Sequence, residues 1–119
     1  MTNSSDKRRE YRLHAREVVF IEAASGDEDK SSCIIVSNSL DISANGLRIT
    51  SNECLPVGSI HSICVQLDNP NCRLQLVIEV KWYQKLETTS EYLIGMELFE
   101  SEGTDIQIWK EIIAERCYC

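Results

Sequence analysis

The chain lacks the cysteine and histidine spacing of a metal site. None of its six cysteines forms a C-x-x-C pair, and its two histidines, His14 and His61, lie far apart in sequence. Zinc sites usually need such pairs, so we expect no bound metal. The sequence also lacks a nucleophile elbow, a phosphate-binding loop and an H-E-x-x-H motif. We therefore expect no cofactor and predict that the protein is not an enzyme.

Long apolar runs are missing as well. The first seven residues are polar, without the apolar centre of a secretion signal, and no later run is long enough to span a bilayer. These features predict a cytoplasmic protein without membrane insertion. In a reducing compartment its cysteines are expected to be free thiols, several of them buried in strands.

Positive charge is scarce and unevenly placed. The chain has 12 Lys and Arg against 19 Asp and Glu, a formal net charge of −7, which argues against binding to a nucleic-acid polymer. Between Lys7 and Arg16, however, five positive side chains stand against one acid, a net of +4. A basic patch on an acidic protein suits a small anion. The simpler interpretation is a solvated basic arm.

Hydrophobic periodicity predicts six short strands followed by one helix. The predicted strands are 18–24, 32–39, 47–51, 60–67, 74–82 and 92–99. A T-x-x-Q capping box at Thr104–Gln107 then opens an amphipathic helix. Its apolar face contains Ile106, Trp109, Ile112, Ile113 and Cys117. The pattern predicts a single all-β-dominated domain, an antiparallel barrel or sandwich with a C-terminal α-helix.

A D-x-S-x-x-G motif lies between the second and third predicted strands. It consists of Asp41, Ser43 and Gly46, within what reads as one short connection. A carboxylate accepts hydrogen bonds from a planar donor edge, a hydroxyl donates or accepts, and glycine permits a positive φ or the close approach of a ligand. Taken alone, the motif is better interpreted as a polar turn than as a binding site.

A second motif gives the first one more weight. Arg8 and Arg12 form R-x-x-x-R, and Asp41 follows Arg12 after 29 residues. In this order and at this distance, the pair of motifs resembles the PilZ domain family. The resemblance implies a six-stranded antiparallel β-barrel with a C-terminal helix, and a receptor for the bacterial second messenger cyclic dimeric GMP. Strand count, turn positions and the final helix extend the resemblance over nearly the whole chain.

The resemblance divides the chain into parts. Residues 1–7 are expected to be a flexible N-terminus, and 8–119 a single PilZ-like domain. Within that domain we expect a basic arm at 8–16, the barrel at 17–100 and the helix at about 103–116.

The resemblance also implies which residues bind the ligand. They are Arg8 and Arg12, with Arg9 as a supplementary contact, and Asp41, Ser43 and Gly46. Arginine can donate two parallel hydrogen bonds to phosphate oxygens or to O6 and N7 of guanine. Asp41 can accept hydrogen bonds from the N–H donors of the guanine Watson–Crick edge. An alternative register uses Arg12 and Arg16, which also read R-x-x-x-R.

Trp82 has two interpretations. It continues the alternating apolar face of Leu74, Leu76, Ile78 and Val80, so packing in the core is the default. It also ends that run, near the predicted rim of the barrel, where an aromatic ring can stack on guanine.

Two functions are compatible with the sequence. The first is a receptor that binds cyclic dimeric GMP and relays its level by conformational change to an unidentified partner protein. The alternative is a ligand-independent, PilZ-like interaction adaptor in pilus assembly or motility.

Overall fold

The computed structural model describes residues 13–24, 32–68 and 71–118. Six strands and one helix follow in the predicted order. They are β1 (Val18–Ala24), β2 (Ser32–Ser43), β3 (Gly46–Ser51), β4 (Ile60–Asp68), β5 (Asn71–Lys85), β6 (Tyr92–Leu98) and α1 (Ile106–Tyr118). The predicted flexible N-terminus, 1–7, lies outside the described residues.

The strands form a closed antiparallel barrel in the order β1-β2-β3-β6-β5-β4. Sequential hairpins make four of the pairings, and the ends of the sheet meet where β1 pairs with β4. The pairing of β3 with β6 joins the two halves of the chain. Closure leaves no open sheet edge, so the predicted six-stranded barrel with a C-terminal helix is confirmed.

The barrel interior is filled by alternate residues of each strand. On β5, Leu74, Leu76, Ile78 and Val80 are all buried, as the period of two predicts. The helix closes the core with Trp109 and Ile113, which are almost completely buried. Ile106 and Ile112 pack beside them, which confirms the predicted apolar face for the side chains that the structure describes; that of Cys117 lies outside them.

The cysteines within the described residues are less buried than expected. Cys54 is exposed, and Cys64 and Cys72 are half-buried free thiols on β4 and β5. Cys64 is outward-facing, because its strand neighbours Ile63 and Val65 fill the core.

The predicted capping box at the start of α1 is wrong. The Thr104 hydroxyl donates to the carbonyl oxygen of Ser101 at 2.8 Å. The residue before the helix is Asp105, whose carbonyl accepts the N–H of Trp109 at 2.9 Å. Its carboxylate accepts the backbone N–H of Gln75 at 2.8 Å. The start of the helix is therefore fixed by its attachment to β5.

The D-x-S-x-x-G motif is a hairpin, not a loop between two shorter strands. β2 continues to Ser43, a two-residue turn at Ala44–Asn45 follows, and β3 begins at Gly46. The predicted end of β2 at residue 39 was wrong because a register shift between Ser39 and Asp41 interrupts the alternation. Beyond this register shift β2 continues to pair with β3 as far as Ser43.

Candidate functional site

Four residues from four neighbouring strands form one row across the outside of the barrel. Asp41 on β2 pairs with Arg48 on β3, Arg48 pairs with Gly95 on β6, and Gly95 pairs with Trp82 on β5. The next residues along these strands, such as Ile42, Leu47 and Ile94, are buried in the core. The row therefore faces outward, and it joins the D-x-S-x-x-G hairpin to the predicted stacking residue.

Asp41 is buried and paired with Arg48. The carboxylate side chain is 1% exposed, and the Arg48 side chain that covers it is 34% exposed. Nε of Arg48 donates to Oδ2 at 2.8 Å and approaches Oδ1 at 3.1 Å, while Nη2 donates to Oδ2. The hydrogen bond to Asp41 raises the pKa of Arg48 above its usual value, although partial burial acts in the opposite direction. Arg48 thus remains a cation at physiological pH.

Arg48 is not among the site residues predicted from sequence, although its position in the hairpin could have indicated it. In a hairpin whose turn is Ala44–Asn45, Ser43 faces Gly46. Counting back along both strands then brings Asp41 opposite Arg48. An acid opposite a cation across neighbouring strands is a favourable pair.

Ser43 and Gly46 form the closing pair of the hairpin. Ser43 is fully buried, and its hydroxyl donates to the carbonyl oxygen of Gly46 at 3.3 Å. A Cβ on Gly46 would overlap the carbonyl oxygen of Met96 on β6. A positive φ occurs at Gly58 and Gly103 but not at Gly46. Gly46 is thus required by the close approach of β6 to β3 and not by a positive φ.

Trp82 lies outside the core, so the default interpretation of this residue was wrong. It is 39% exposed. A register shift between Val80 and Trp82 places Val80 opposite Met96, facing inward, and Trp82 opposite Gly95, facing outward. Lys81 is the additional residue of this bulge, and one extra residue reverses the face of those that follow. The indole lies over Gly95, where an added Cβ would overlap the ring.

A pocket of about 390 Å³ lies on this outer face, between β3, β6 and β5. Its lining includes Gly46, Arg48, Lys81, Trp82, Gly95 and Glu97. The ammonium of Lys81 lies 3.4 Å from Glu97 and 3.7 Å from Glu79. Among the described lining residues, Lys81 is therefore paired with acids at the surface, whereas the acid that pairs with Arg48 is the buried Asp41. The pocket offers an aromatic face, a guanidinium and a floor without side chains at its two glycines.

The end of the predicted basic arm is attached beside Asp41. The backbone of Leu13 pairs with that of Ile42 through two hydrogen bonds of 2.8 and 2.9 Å. Ser39 holds the following residues: its hydroxyl accepts the N–H of Glu17 at 2.8 Å and donates to the carbonyl of Ala15. Of the predicted binding arginines, Arg8, Arg9 and Arg12 lie outside the described residues. Arg16, from the alternative register, is exposed.

The C-terminal helix contacts the D-x-S-x-x-G hairpin and the segment just before β1. Trp109 donates its indole N–H to the carbonyl oxygen of Ser43 at 2.9 Å. Arg116 lies 3.2 Å from the carboxylate of Glu17, which is itself buried. One end of the helix is thus bonded to the hairpin and the other to the segment that follows the basic arm.

A protein-family model for the PilZ domain matches residues 6–115. The chain belongs to the PilZ family. No curated protein sequence matches it.

Solved structures of PilZ proteins share its fold. The Bacillus subtilis inhibitor of motility MotI/DgrA is 19% identical, with a TM-score of 0.68 over 94% of this chain and 51% of that one. The PilZ domain of Escherichia coli YcgR, solved with cyclic dimeric GMP, is 15% identical, with a TM-score of 0.63 over 94% of both chains. The cyclic dimeric GMP-dependent transcription regulatory factor MrkH is 14% identical, with a TM-score of 0.65 over 93% of this chain and 51% of that one.

These identities show a common PilZ fold and no more. The chain spans about half the length of MotI and MrkH. In the part of this PilZ domain that the structure describes, no helix is long and apolar enough to cross a membrane. The same part holds no group of three or more His, Cys, Asp or Glu side chains suited to a metal ion.

Proposed function

We propose that this PilZ domain binds cyclic dimeric GMP in the pocket beside the D-x-S-x-x-G hairpin. The observation that carries the proposal is the outward row of Asp41, Arg48, Gly95 and Trp82. It brings the guanidinium of Arg48, which Asp41 holds from behind, and an open indole face to one pocket. The ligand has two guanine bases and two phosphates, and the row offers a partner to the bases.

Trp82 supplies the stacking surface in this proposal. Its ring is exposed, lies over a residue without a side chain and borders the pocket. Stacking of a base on an aromatic side chain contributes roughly 1–3 kcal/mol. We assign Asp41 and Ser43 to guanine recognition as residues that are buried behind the pocket lining. A carboxylate with about four lone-pair sites can serve more than one donor. Gly46 borders the pocket, and its lack of a side chain lets β6 pack closely against β3 at this point.

The basic arm supplies the counter-charge for the phosphates. Among the described lining residues, Lys81 is paired with Glu97 and Arg48 is paired with Asp41 behind the lining, which leaves little net positive charge for a ligand with two phosphates. The segment from Lys7 to Arg16 carries a net charge of +4. Leu13, the first described residue, is bonded to the chain beside Asp41, which supports a contact between the arm and this side of the barrel. We assign Arg8 and Arg12 to the phosphates and guanine edges, and Arg9 to a supplementary contact.

The signal passes to a partner protein through the arm and the C-terminal helix. The helix is bonded to the hairpin at Ser43 and to the segment after the arm at Glu17. Ligand that bridges the arm to the hairpin changes the surface that these elements present. The partner is unidentified.

A ligand-independent interaction adaptor is the second candidate. The observation in its favour is that Asp41 is 1% exposed and already paired with Arg48. In an adaptor, this pair would only stabilise the hairpin.

Calorimetric titration separates the two candidates. We expect saturable binding of cyclic dimeric GMP and none of GTP or cyclic GMP, which lack the second linked guanine. The Trp82→Ala variant serves as the site control. Absence of binding by a folded wild-type protein would contradict the receptor function and favour the adaptor.

A further inference from the structure

Arg48 has two edges that face different surroundings. A guanidinium carries five N–H donors in a rigid plane. The edge formed by Nε and Nη2 is held by the buried carboxylate of Asp41. The remaining donors, on Nη1 and the outer side of Nη2, find no hydrogen-bond acceptor among the described residues. Asp41 thus fixes the orientation of the group and leaves its outer edge available.

The outer edge borders the pocket together with Trp82. Arg48 and Trp82 both line the pocket, and the strand between them contributes Gly95, which has no side chain to separate them. Neighbouring strands lie about 4.8 Å apart. A base stacked on the indole therefore lies within reach of the guanidinium. Lys81, the other cation of the lining, is held by Glu79 and Glu97.

We propose that Arg48 reads the O6 and N7 edge of a guanine base, with Asp41 as the residue that positions it. This inference rests on the proposed function. Guanine presents two acceptors, O6 and N7, to a planar pair of donors, whereas adenine replaces O6 by an amino donor. An arginine held in place by a buried acid can donate to both acceptors of guanine, whereas it would face a donor on adenine, so it favours guanine. Arg48 is then a determinant of base specificity that neither sequence motif contains.

The experiment titrates the full chain with three ligands that differ only in their bases. Cyclic dimeric GMP and cyclic dimeric IMP both keep O6 and N7, while the inosine ligand lacks the guanine N2 amine. Cyclic dimeric AMP lacks O6. The proteins are the wild type, Arg48→Lys, Arg48→Ala and Arg73→Ala. Arg73 is the matched control, an exposed arginine on β5 that binds Gln66 outside the pocket.

Arg48→Lys is the principal variant because it keeps a cation against Asp41 but loses the planar fork. We expect it to bind cyclic dimeric GMP and cyclic dimeric IMP about tenfold or more weakly, with a much smaller change for cyclic dimeric AMP. The preference for guanine over adenine should fall accordingly. Arg48→Ala should show the same loss of preference, and Arg73→Ala should show none. A ratio of affinities within one preparation does not depend on its folded fraction.

Two outcomes would overturn the assignment. Equal weakening for all three ligands would mean that Arg48 contacts a phosphate or only supports the fold. Unchanged affinities in both Arg48 variants would mean that it does not contact the ligand. A wild-type protein that binds none of the three ligands would instead overturn the receptor function itself, so the two failures are distinguishable.

Discussion

Trp109 and Ser43 are joined by a buried hydrogen bond of 2.9 Å between the indole N–H and the backbone carbonyl. They lie 66 residues apart in sequence, one on the C-terminal helix and the other in the D-x-S-x-x-G hairpin. A second contact, between Arg116 and Glu17, joins the far end of the helix to the segment before β1. The helix therefore contacts both the D-x-S-x-x-G hairpin and the segment that follows the basic arm.

Trp109→Phe should destabilise the fold. Phenylalanine keeps the aromatic packing but removes the indole N–H from a buried site, and a lost buried hydrogen bond costs about 1–3 kcal/mol. Urea unfolding should show a decrease of that size in the free energy of unfolding. Trp82→Phe, on the exposed indole, is the control and should change stability by much less. Equal stability of both variants would show that the Trp109–Ser43 bond contributes nothing.

Arg12→Ala should weaken binding of cyclic dimeric GMP about a hundredfold or more. Two hydrogen bonds to charged groups contribute roughly 1.5–3 kcal/mol each, and 1.4 kcal/mol is a factor of ten. Calorimetry measures the loss, and circular dichroism checks the fold. Arg8→Ala and Arg16→Ala distinguish the two registers. Weaker binding in Arg8→Ala indicates the pair Arg8 and Arg12, whereas weaker binding in Arg16→Ala indicates the pair Arg12 and Arg16. Unchanged affinity in a folded Arg12→Ala protein would contradict the assignment under either register.

Trp82→Ala should lose roughly 1–3 kcal/mol of binding free energy and remain folded. The fold should persist because the side chain is 39% exposed and lies outside the core. Fluorescence offers an independent measurement, since the chain has two tryptophans and Trp109 is fully buried. Ligand should quench the emission of a Trp109→Phe protein, in which only Trp82 remains. If ligand still quenched the emission of Trp82→Phe, the quenched fluorophore would be Trp109 and not Trp82.

The two glycines of the pocket should respond differently to alanine. A Cβ on Gly46 would overlap the backbone carbonyl of Met96, whereas one on Gly95 would meet the exposed ring of Trp82. A backbone cannot move aside cheaply, so Gly46→Ala should lower stability by about 1–3 kcal/mol or more. Gly95→Ala should push the indole outward and weaken binding with little loss of stability. Thermal unfolding and titration of both variants check this; the reverse ranking of stability would be evidence against the described packing.

The number of strands and their succession along the chain were predictable because the hydrophobic alternation is strong, whereas the closed barrel was implied by the resemblance to the PilZ family. Leu74 to Val80 keeps a period of two, and the helix begins where that period changes. The errors fall at the two bulges. The register shift after Ser39 hid the continuation of β2 to Ser43, and the shift after Val80 turned Trp82 outward. A bulge depends on contacts with the neighbouring strand, so a local pattern does not reveal it.

The candidate site was predictable only in part for a similar reason. Its motif residues could be identified one at a time, but Arg48 becomes recognisable only when the hairpin register brings it opposite Asp41. The row that links Asp41 to Trp82 crosses β3 and β6, which are joined by no direct connection in sequence. Such cross-strand relationships arise from the folded topology.

Limited trypsin digestion should locate the segment that responds to ligand. Cleavage after Arg8, Arg9 and Arg12 should slow when cyclic dimeric GMP saturates the protein, because the positive charges of the arm repel each other until phosphates neutralise them. Arg16 should resist cleavage in both states. Its neighbours Ala15 and Glu17 are hydrogen-bonded to Ser39, and a protease needs an unpaired, extended backbone.

Mass spectrometry of the fragments identifies each cleavage site, and cleavage after the helical Arg116 reports separately on the helix. Ser39→Ala is the matched variant, since it removes the hydroxyl that holds Ala15 and Glu17. It should expose Arg16 to trypsin without ligand while the three upstream sites keep their response. Equal cleavage upstream with and without ligand, at concentrations where titration shows saturation, would rule out the arm as the responding element. A ligand-dependent change confined to Arg116 would assign the response to the helix instead.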